Sequence, residues 1–127
     1  MAGSIEENRA TAIQFIKRMK ACRGIDPELI TEDFQWWSQG GGYFSAPQMT
    51  ALIGTLDTIM PEMPEMTIEA TTAEGERVAL EVSGRCELAN GRRYDNTYHF
   101  LIRLRDGRVR LVKEYLDTQV AQEAFGP

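Results

Sequence analysis

Two long segments of alternating residues near the end of the chain constrain the fold more than any other part of the sequence. They span Arg92–Arg105 and Arg108–Asp117, and Asp106-Gly107 joins them. Asp-Gly between alternating segments predicts a tight β-hairpin, because both turn positions tolerate a positive φ. Each segment is longer than a typical strand, and an isolated hairpin is only marginally stable. We therefore expect the rest of the chain to cover one face of this hairpin.

Helix-start signals predict three helices upstream of the hairpin. The sequence SIEE at residues 4–7 is a capping box, and it starts a helix that runs to about Arg23. Asp and Pro at residues 26–27 start a short second helix that ends near Thr31. A second capping sequence at residues 45–48 starts a third helix that runs to about Met60, since Pro61 follows.

Three further segments are predicted to be strands: Phe34–Ser38, Met66–Ala73 and Val78–Leu88. Because helices come early and strands joined by tight turns come late, the sequence predicts an α+β fold. We expect a twisted antiparallel sheet of five strands that curls around the three helices, within one domain of residues 1–127. Thr118–Phe125 is expected to be a short tail, with a helix as one alternative.

Several of these segments resemble a known family. They are DFQWW, AEGERVALEVSG, YDNTYHF, RDGRV and KEYLDT, and together they extend over most of the chain. They are similar to the SnoaL-like and ketosteroid isomerase-like branch of the nuclear transport factor 2-like superfamily. The resemblance implies a cone-shaped, cystatin-like roll, in which a curved sheet wraps around three helices. It implies a fold more strongly than a reaction, because one fold hosts many functions.

Composition argues against several classes of function. The net charge is −5, and the arginines of the hairpin lie among acidic residues, so binding to nucleic acid or to an anionic membrane is not expected. No stretch approaches the roughly 18 apolar residues of a membrane span, and no targeting segment is evident, so we expect a cytoplasmic protein. Cys22 and Cys86 form no C-x-x-C pair and there is one histidine, so we expect no metal, no cofactor and two free thiols.

The register of the last strand decides which polar side chains enter a pocket between sheet and helices, because a slip of one residue reverses every side chain. Periodicity does not choose between the faces of this strand, since both are mixed. The resemblance does: KEYLD is similar to a strand of limonene epoxide hydrolases that carries a catalytic carboxylate, which implies that Glu114 faces inward. This register places His99 outside. It places the following residues inside: Glu81, Ser83, Arg85, Tyr94, Asn96, Tyr98 and Phe100. For the strand that carries the first three, the alternative is a bulge near Gly84, which would reverse part of the strand.

The candidate catalytic residues on this register are Glu114, Tyr98 and Asn96. A carboxyl group in an apolar pocket has a raised pKa and can act as acid or base at neutral pH. Tyr98 and Asn96 would orient the bound molecule as hydrogen-bond donors. The alternatives are a salt bridge from Glu114 to Arg85 or Arg110, and ordinary strand contacts for the other two. The candidate substrate-binding residues are Trp36, Phe100, Glu81 and His99.

Two departures limit what the resemblance implies. The epoxide hydrolases hold an Arg-x-Asp pair where this chain has Glu81 and Ser83, so their route is not expected here. Asp33 and Asp57 are further candidates for a base of the ketosteroid isomerase type, but both lie at poor positions. We therefore expect a pocket that binds a small hydrophobic molecule, with cofactor-free acid–base chemistry of isomerase, cyclase or hydratase/dehydratase type. The alternative is a non-catalytic ligand-binding or interaction domain of the same fold.

The outer face of the hairpin predicts an assembly. With Glu114 inside, this face presents Leu101, Val109, Leu111 and Tyr115, which is more apolar surface than a monomer usually leaves in one patch. We expect a homodimer about a two-fold axis, with Leu111 and Tyr115 near its centre. The alternative is that the C-terminal segment folds back over this patch, with Phe125 as its plug.

Overall fold

The computed structural model describes residues 3–126, and within this range the chain alternates between helices and the strands of a single sheet. The helices are α1 (Ile5–Cys22), α2 (Ala46–Gly54) and α3 (Thr118–Phe125), with a 3₁₀ turn at Pro27–Leu29. The strands are β1 (Ile30–Ser38), β2 (Gly42–Phe44), β3 (Glu65–Glu74), β4 (Arg77–Glu87), β5 (Arg93–Arg105) and β6 (Arg108–Leu116). The α+β class predicted from the sequence is confirmed.

These strands form one sheet in the order β2-β1-β6-β5-β4-β3. The sheet has six strands and not the five expected, because the short strand β2, which pairs with β1, was not predicted. Successive strands from β3 to β6 pair antiparallel, as their tight turns predict. In the turn of the central hairpin, Asp106 and Gly107 have φ values of 51° and 78°, which a type I′ geometry requires. β1 pairs with β6 in parallel, so the sheet is mixed rather than wholly antiparallel. No tight turn links these two strands, and their relative direction is therefore free.

α1 begins with the predicted capping box. The Ser4 hydroxyl accepts a hydrogen bond from the Glu7 amide at 3.1 Å, and the Glu7 carboxylate accepts one from the Ser4 amide at 3.1 Å. Its buried side chains are Asn8, Ala12, Phe15, Ile16 and Met19, and the helix contacts β3, β4 and β6. Cys22, the last residue of the helix, is exposed. The helix therefore covers the sheet with its first four turns.

Two helix boundaries differ from the sequence prediction. The second predicted helix is only the 3₁₀ turn, because β1 already begins at Ile30 and pairs with Val109. α2 ends at Gly54, well before Met60, and residues 55–59 form turns. At this end the Thr55 hydroxyl donates to the Leu52 carbonyl at 2.6 Å, which favours a turn over a further helical residue.

β4 faces the opposite way from the prediction. Its buried side chains are Val78, Leu80, Val82 and Cys86, whereas Glu81 and Arg85 are exposed. Pairing with β5 continues unbroken through Gly84, so there is no bulge at that glycine. The apolar row occupies the interior because its burial is favourable, and burial of unpaired charges would be costly. The expectation that Glu81 faces inward is therefore wrong.

A bulge in β6 changes the beginning of that strand. Pairing shifts between Arg103↔Leu111 and Leu104↔Val109, which leaves Arg110 as the extra residue. Val109 consequently points into the core with no exposed surface, although it was expected on the outer face. Beyond the bulge the predicted alternation holds, with Val112 and then Glu114 directed inward.

Candidate functional site

A cavity of about 230 Å³ lies between the inner face of the sheet and the helices. Most of its lining is apolar and comes from α1, α2, β1, β3, β5 and α3. Its polar lining residues are Ser38, Tyr94, Tyr98 and Glu114, with the indole of Trp36. A mainly apolar cavity with a few convergent polar groups is the usual form of a small-molecule site.

Glu114 supplies the carboxylate of this cavity. Strand pairing sets it beside Phe100 of β5 and Ser38 of β1. Its Oε1 accepts hydrogen bonds from Ser38 Oγ at 2.9 Å and from Trp36 Nε1 at 3.3 Å. Within residues 3–126 no Lys or Arg forms a salt bridge with this carboxylate, so the alternative partners Arg85 and Arg110 do not hold it.

Burial raises the pKa of the Glu114 carboxyl above its ordinary value. The hydrogen bonds from Ser38 and Trp36 favour the ionised form, but they offset only part of this effect. The carboxyl group therefore exchanges its proton at a higher pH than an exposed glutamate. A carboxyl group with a raised pKa in a cavity is a candidate acid or base.

Tyr94, Tyr98 and Asn96 form a chain of hydrogen bonds beside this carboxylate. The two phenol oxygens lie 2.9 Å apart, and Asn96 Nδ2 donates to the Tyr94 oxygen at 2.9 Å. The orientation of the Asn96 amide is fixed at both ends, because Oδ1 accepts from the Thr97 amide and Nδ2 also donates to the Asp117 carbonyl. Asn96 lies behind the tyrosines and does not line the cavity. We therefore do not expect Asn96 to contact a molecule bound in this cavity.

The direction of this chain determines what the cavity can bind. Burial raises the pKa of both phenols, which keeps them neutral, so each carries one proton. When Tyr94 accepts from Asn96 and donates to Tyr98, the proton of Tyr98 is free to point into the cavity. The ring of Tyr98 is held by stacking on Phe100, with centroids 5.4 Å apart and planes at 9°. The arrangement can thus present one fixed hydroxyl donor to an oxygen atom of a bound molecule.

The other predicted site residues divide between the two faces of the sheet. Trp36 is 2% exposed and lines the cavity, with Phe100 at an edge-to-face distance of 5.9 Å. Glu81 and His99 are exposed on the outer face, where the His99 ring lies 6.4 Å from Tyr115. Neither residue reaches the cavity, because alternation along β4 and β5 directs both away from it.

The two aspartates considered as a base are also on the surface. Asp33 accepts two hydrogen bonds from Arg105, at 2.6 and 3.1 Å, and this pairing holds its pKa well below the usual range. Asp57 pairs with Arg23 at 2.7 Å in the turns that follow α2. Neither lines the cavity.

Ser38, Tyr94 and Phe125 line the cavity but were not predicted as site residues. The alternation of Phe34 and Trp36 along β1 extends to Ser38, but only the parallel pairing with β6 brings its hydroxyl to Glu114. Phe125 of α3 packs edge-on against Tyr94 at 4.7 Å. The C-terminal segment therefore closes one end of the cavity, and the alternative in which it covers the outer face is wrong.

Within the described part of the chain, no three His, Cys, Asp or Glu side chains come together as metal ligands. Among the helices of that same range, none has the length and apolar character needed to cross a membrane.

Comparison with known proteins identifies relatives of this fold. A model of the SnoaL-like domain matches residues 20–112. No curated protein matches the sequence. The BvnE pinacolase of Penicillium brevicompactum superposes with a TM-score of 0.80 at 16% identity, over 93% of this chain and 88% of that one.

Two other solved structures have similar scores. A putative SnoaL-like polyketide cyclase from Jannaschia sp. CCS1 gives a TM-score of 0.78 at 18% identity, over 99% of this chain and 96% of that one. An LEH-like epoxide hydrolase of M. tuberculosis gives a TM-score of 0.76 at 15% identity, over 94% of this chain and 90% of that one. These identities are low, so the likenesses establish the expected cone-shaped fold and not a shared reaction.

Proposed function

Because this chain belongs to the SnoaL-like domain family, we propose that it binds a compact hydrophobic molecule and performs cofactor-free acid–base chemistry on it. The reaction would be of isomerase, cyclase or hydratase/dehydratase type. One observation carries the proposal: a carboxylate with no cationic partner in the described residues lies in the wall of a mainly apolar cavity. Glu114 is half-buried, and a carboxylate that is partly withdrawn from water without a cationic partner is often found at a functional site.

The proposed roles follow from the contacts of each group. Glu114 gives a proton to the bound molecule or takes one from it, and Ser38 and Trp36 fix its orientation. Tyr98 donates a hydrogen bond to an oxygen on which charge develops, which is the kind of stabilisation that contributes most to many enzymes. Tyr94 and Asn96 are positioning residues, since they act through Tyr98. The pinacolase, cyclase and epoxide hydrolase named among the similar structures support a reaction on a small organic molecule.

The experiment uses 5-nitrobenzisoxazole, a compact two-ring probe for a carboxylate base in an apolar site. The base removes the ring C–H proton, the N–O bond breaks, and its electron pair leaves on the phenolate oxygen, which gives a coloured product. We expect Glu114→Gln to lower the elimination rate by about 100-fold or more, in line with the loss of a general base. Glu81→Gln removes an exposed carboxylate of the outer face and is the matched control, with an unchanged rate. Equal rates in wild type and Glu114→Gln would contradict the assignment.

A second candidate function is ligand binding without catalysis. The specific observation in its favour is that Glu81 and Ser83, which were expected at the place of the epoxide hydrolases' Arg-x-Asp pair, do not line the cavity. In this case the probe binds wild type, as measured by its displacement of a fluorescent apolar dye, but neither wild type nor Glu114→Gln accelerates the elimination.

We also propose that the protein is a homodimer through the outer face of the β5–β6 hairpin. Support comes from a partly exposed aromatic group there, in which the rings of Trp37 and Tyr115 lie 5.1 Å apart and the Lys113 ammonium is 5.5 Å from the Trp37 ring. Leu111 is partly exposed beside them. Val109 does not belong to this surface, because the bulge turns it into the core.

A further inference from the structure

The methionines of this protein converge on one place. The sequence contains six, and all five within the described range line the cavity: Met19, Met49, Met60, Met63 and Met66. They come from α1, α2, the irregular segment before β3, and β3 itself. Four of them are at most 8% exposed. Residues from separate elements thus build one thioether-rich wall, which we call the methionine wall.

A second wall of the cavity is aromatic. It consists of Trp36, Tyr94, Tyr98 and Phe100 on the sheet, which hold one another through ring contacts and hydrogen bonds. Aromatic rings linked in this way have few alternative positions. Methionine is unbranched, has three rotatable side-chain bonds and is polarizable, so it adapts to the shape of a neighbouring group. A molecule in the cavity would therefore contact a rigid aromatic wall and an adaptable methionine wall.

The backbone of part of the methionine wall is held firmly. Arg23 donates to the carbonyl of Met60 at 2.8 Å and to the carbonyl of Pro61 at 3.0 Å, and it also pairs with Asp57. The Ala89 amide donates to the carbonyl of Ile59 at 2.8 Å. The adaptability of this wall thus resides in side chains and not in loop movement.

The size of the cavity limits the molecule it can take. Its volume of about 230 Å³ lies below the roughly 300–1,000 Å³ of pockets that hold drug-sized ligands. Side-chain rotation of the methionines can enlarge it somewhat, but the aromatic wall cannot retreat. One ring or two fused rings fit this space, whereas a four-ring skeleton does not.

We propose that the cavity selects flat, unsaturated one- or two-ring molecules over saturated molecules of the same skeleton, and that the methionine wall makes this selection. Sulfur attracts aromatic rings at about 5 Å, and this attraction is absent for a saturated ring. Stacking against the aromatic wall adds to the preference, but it does not depend on methionine. This inference rests on the proposed binding of a small molecule in the cavity, and it specifies the class of that molecule.

The test compares 2-naphthol with decahydro-2-naphthol, which share a ten-carbon skeleton and one hydroxyl group. Their dissociation constants are measured by calorimetry on the full chain, for wild type and for Met49→Leu/Met60→Leu/Met63→Leu. Leucine conserves volume and removes the thioether, so these substitutions are well tolerated in cores. We expect the preference for 2-naphthol to fall about fivefold in the triple variant. Leu56→Met, which adds a thioether to the cavity lining, should increase the preference.

The preference is the ratio of the two dissociation constants, and it is compared between wild type and variant. The two ligands also differ in hydroxyl acidity, but this difference affects wild type and variant alike and so cancels in the comparison. An equal preference in wild type and the triple variant would overturn the inference and leave the proposed function intact. Failure of both ligands to bind wild type would instead contradict the proposed function, and the inference with it. If the triple variant does not fold, Met49→Leu and Met60→Leu are measured singly, and each should lower the preference by about twofold. No change in either single variant would count against the methionine wall.

Discussion

Glu114 links the proposed chemistry of the cavity to the stability of the fold. In the folded protein, burial raises the pKa of its carboxyl above the ordinary value of about 4.5, which applies to the unfolded chain. Between these two values the folded state binds more protons than the unfolded state. Stability therefore decreases as pH rises through this interval, and the decrease persists at higher pH. Below the ordinary value the carboxyl is protonated in both the folded and the unfolded state, and no stability is lost.

This linkage predicts the behaviour of Glu114→Gln, in which a neutral amide replaces the carboxyl. The variant should match wild type near pH 4 and be more stable at pH 7, because it cannot ionise in the cavity. The free energy of unfolding, measured by urea denaturation at a series of pH values, checks this. Glu81→Gln, with its exposed carboxyl, should follow the wild-type curve. If Glu114→Gln is less stable than wild type by the same amount at every pH, the burial argument is wrong.

Some residues of the site could be predicted from the sequence and others could not. The inward face of β5, with Tyr98 and Phe100, follows from alternation in a long hairpin. The inward direction of Glu114 could be predicted only from the resemblance, because both faces of β6 carry polar and apolar residues. Carrying that register into β4 produced the error at Glu81, where the apolar row of β4 was the better guide. Asn96 faces inward as expected, yet its donors are used by Tyr94 and Asp117, which alternation cannot reveal.

At the scale of elements, the contact between β4 and β5 creates the space that Tyr98 occupies. A Cβ atom at Gly84 would lie 2.9 Å from Cε2 of Tyr98 and 3.2 Å from the sulfur of Met66. The ring of Tyr98 therefore lies over the glycine, and the absence of a side chain there is required for the hydrogen bond to Tyr94. Gly84 serves the site through this close approach and not through a bulge.

We expect Gly84→Ala to destabilise the protein by about 1–3 kcal/mol, since the new methyl group overpacks this contact. Displacement of Tyr98 should also weaken binding of 2-naphthol. Gly54→Ala is the control, because a Cβ atom there meets nothing within 4 Å. It should be neutral or stabilising by up to about 1 kcal/mol. Thermal unfolding of both variants measures this difference. Equal melting temperatures would contradict the prediction and show that the strands adjust to the added methyl group.

The elements themselves were predictable where a local signal exists. Asp106-Gly107 defines the central hairpin, and the capping box at Ser4 defines the start of α1. The parallel pair of β1 and β6 has no such signal, because its partners lie far apart in the chain. The early end of α2 combines a local contact, from the Thr55 hydroxyl to the Leu52 carbonyl, with tertiary contacts of Arg23 to the segment that follows.

At the scale of the whole molecule, the proposed dimer makes the outer face of the hairpin an internal surface. A charge at Leu111 would then be buried at the interface, which is unfavourable without a partner. Leu111→Asp should therefore yield a monomer or an unstable protein, whereas Arg108→Asp, at the turn, should leave assembly unchanged. Light scattering at micromolar concentration measures the mass. A wild-type mass near the 14.4 kDa of one chain would contradict the dimer.

The central claim is that the Glu114 carboxyl, inside the cavity, exchanges its proton at a higher pH than an exposed glutamate. The most direct measurement is the titration of its side-chain carboxyl carbon by nuclear magnetic resonance, with Glu114→Gln to assign the signal. We predict an inflection clearly above the ordinary value of about 4.5, because burial opposes ionisation and no cation within the described residues offsets it. An inflection at or below that value would mean that the carboxylate is well solvated or paired, and would contradict the proposed acid–base role.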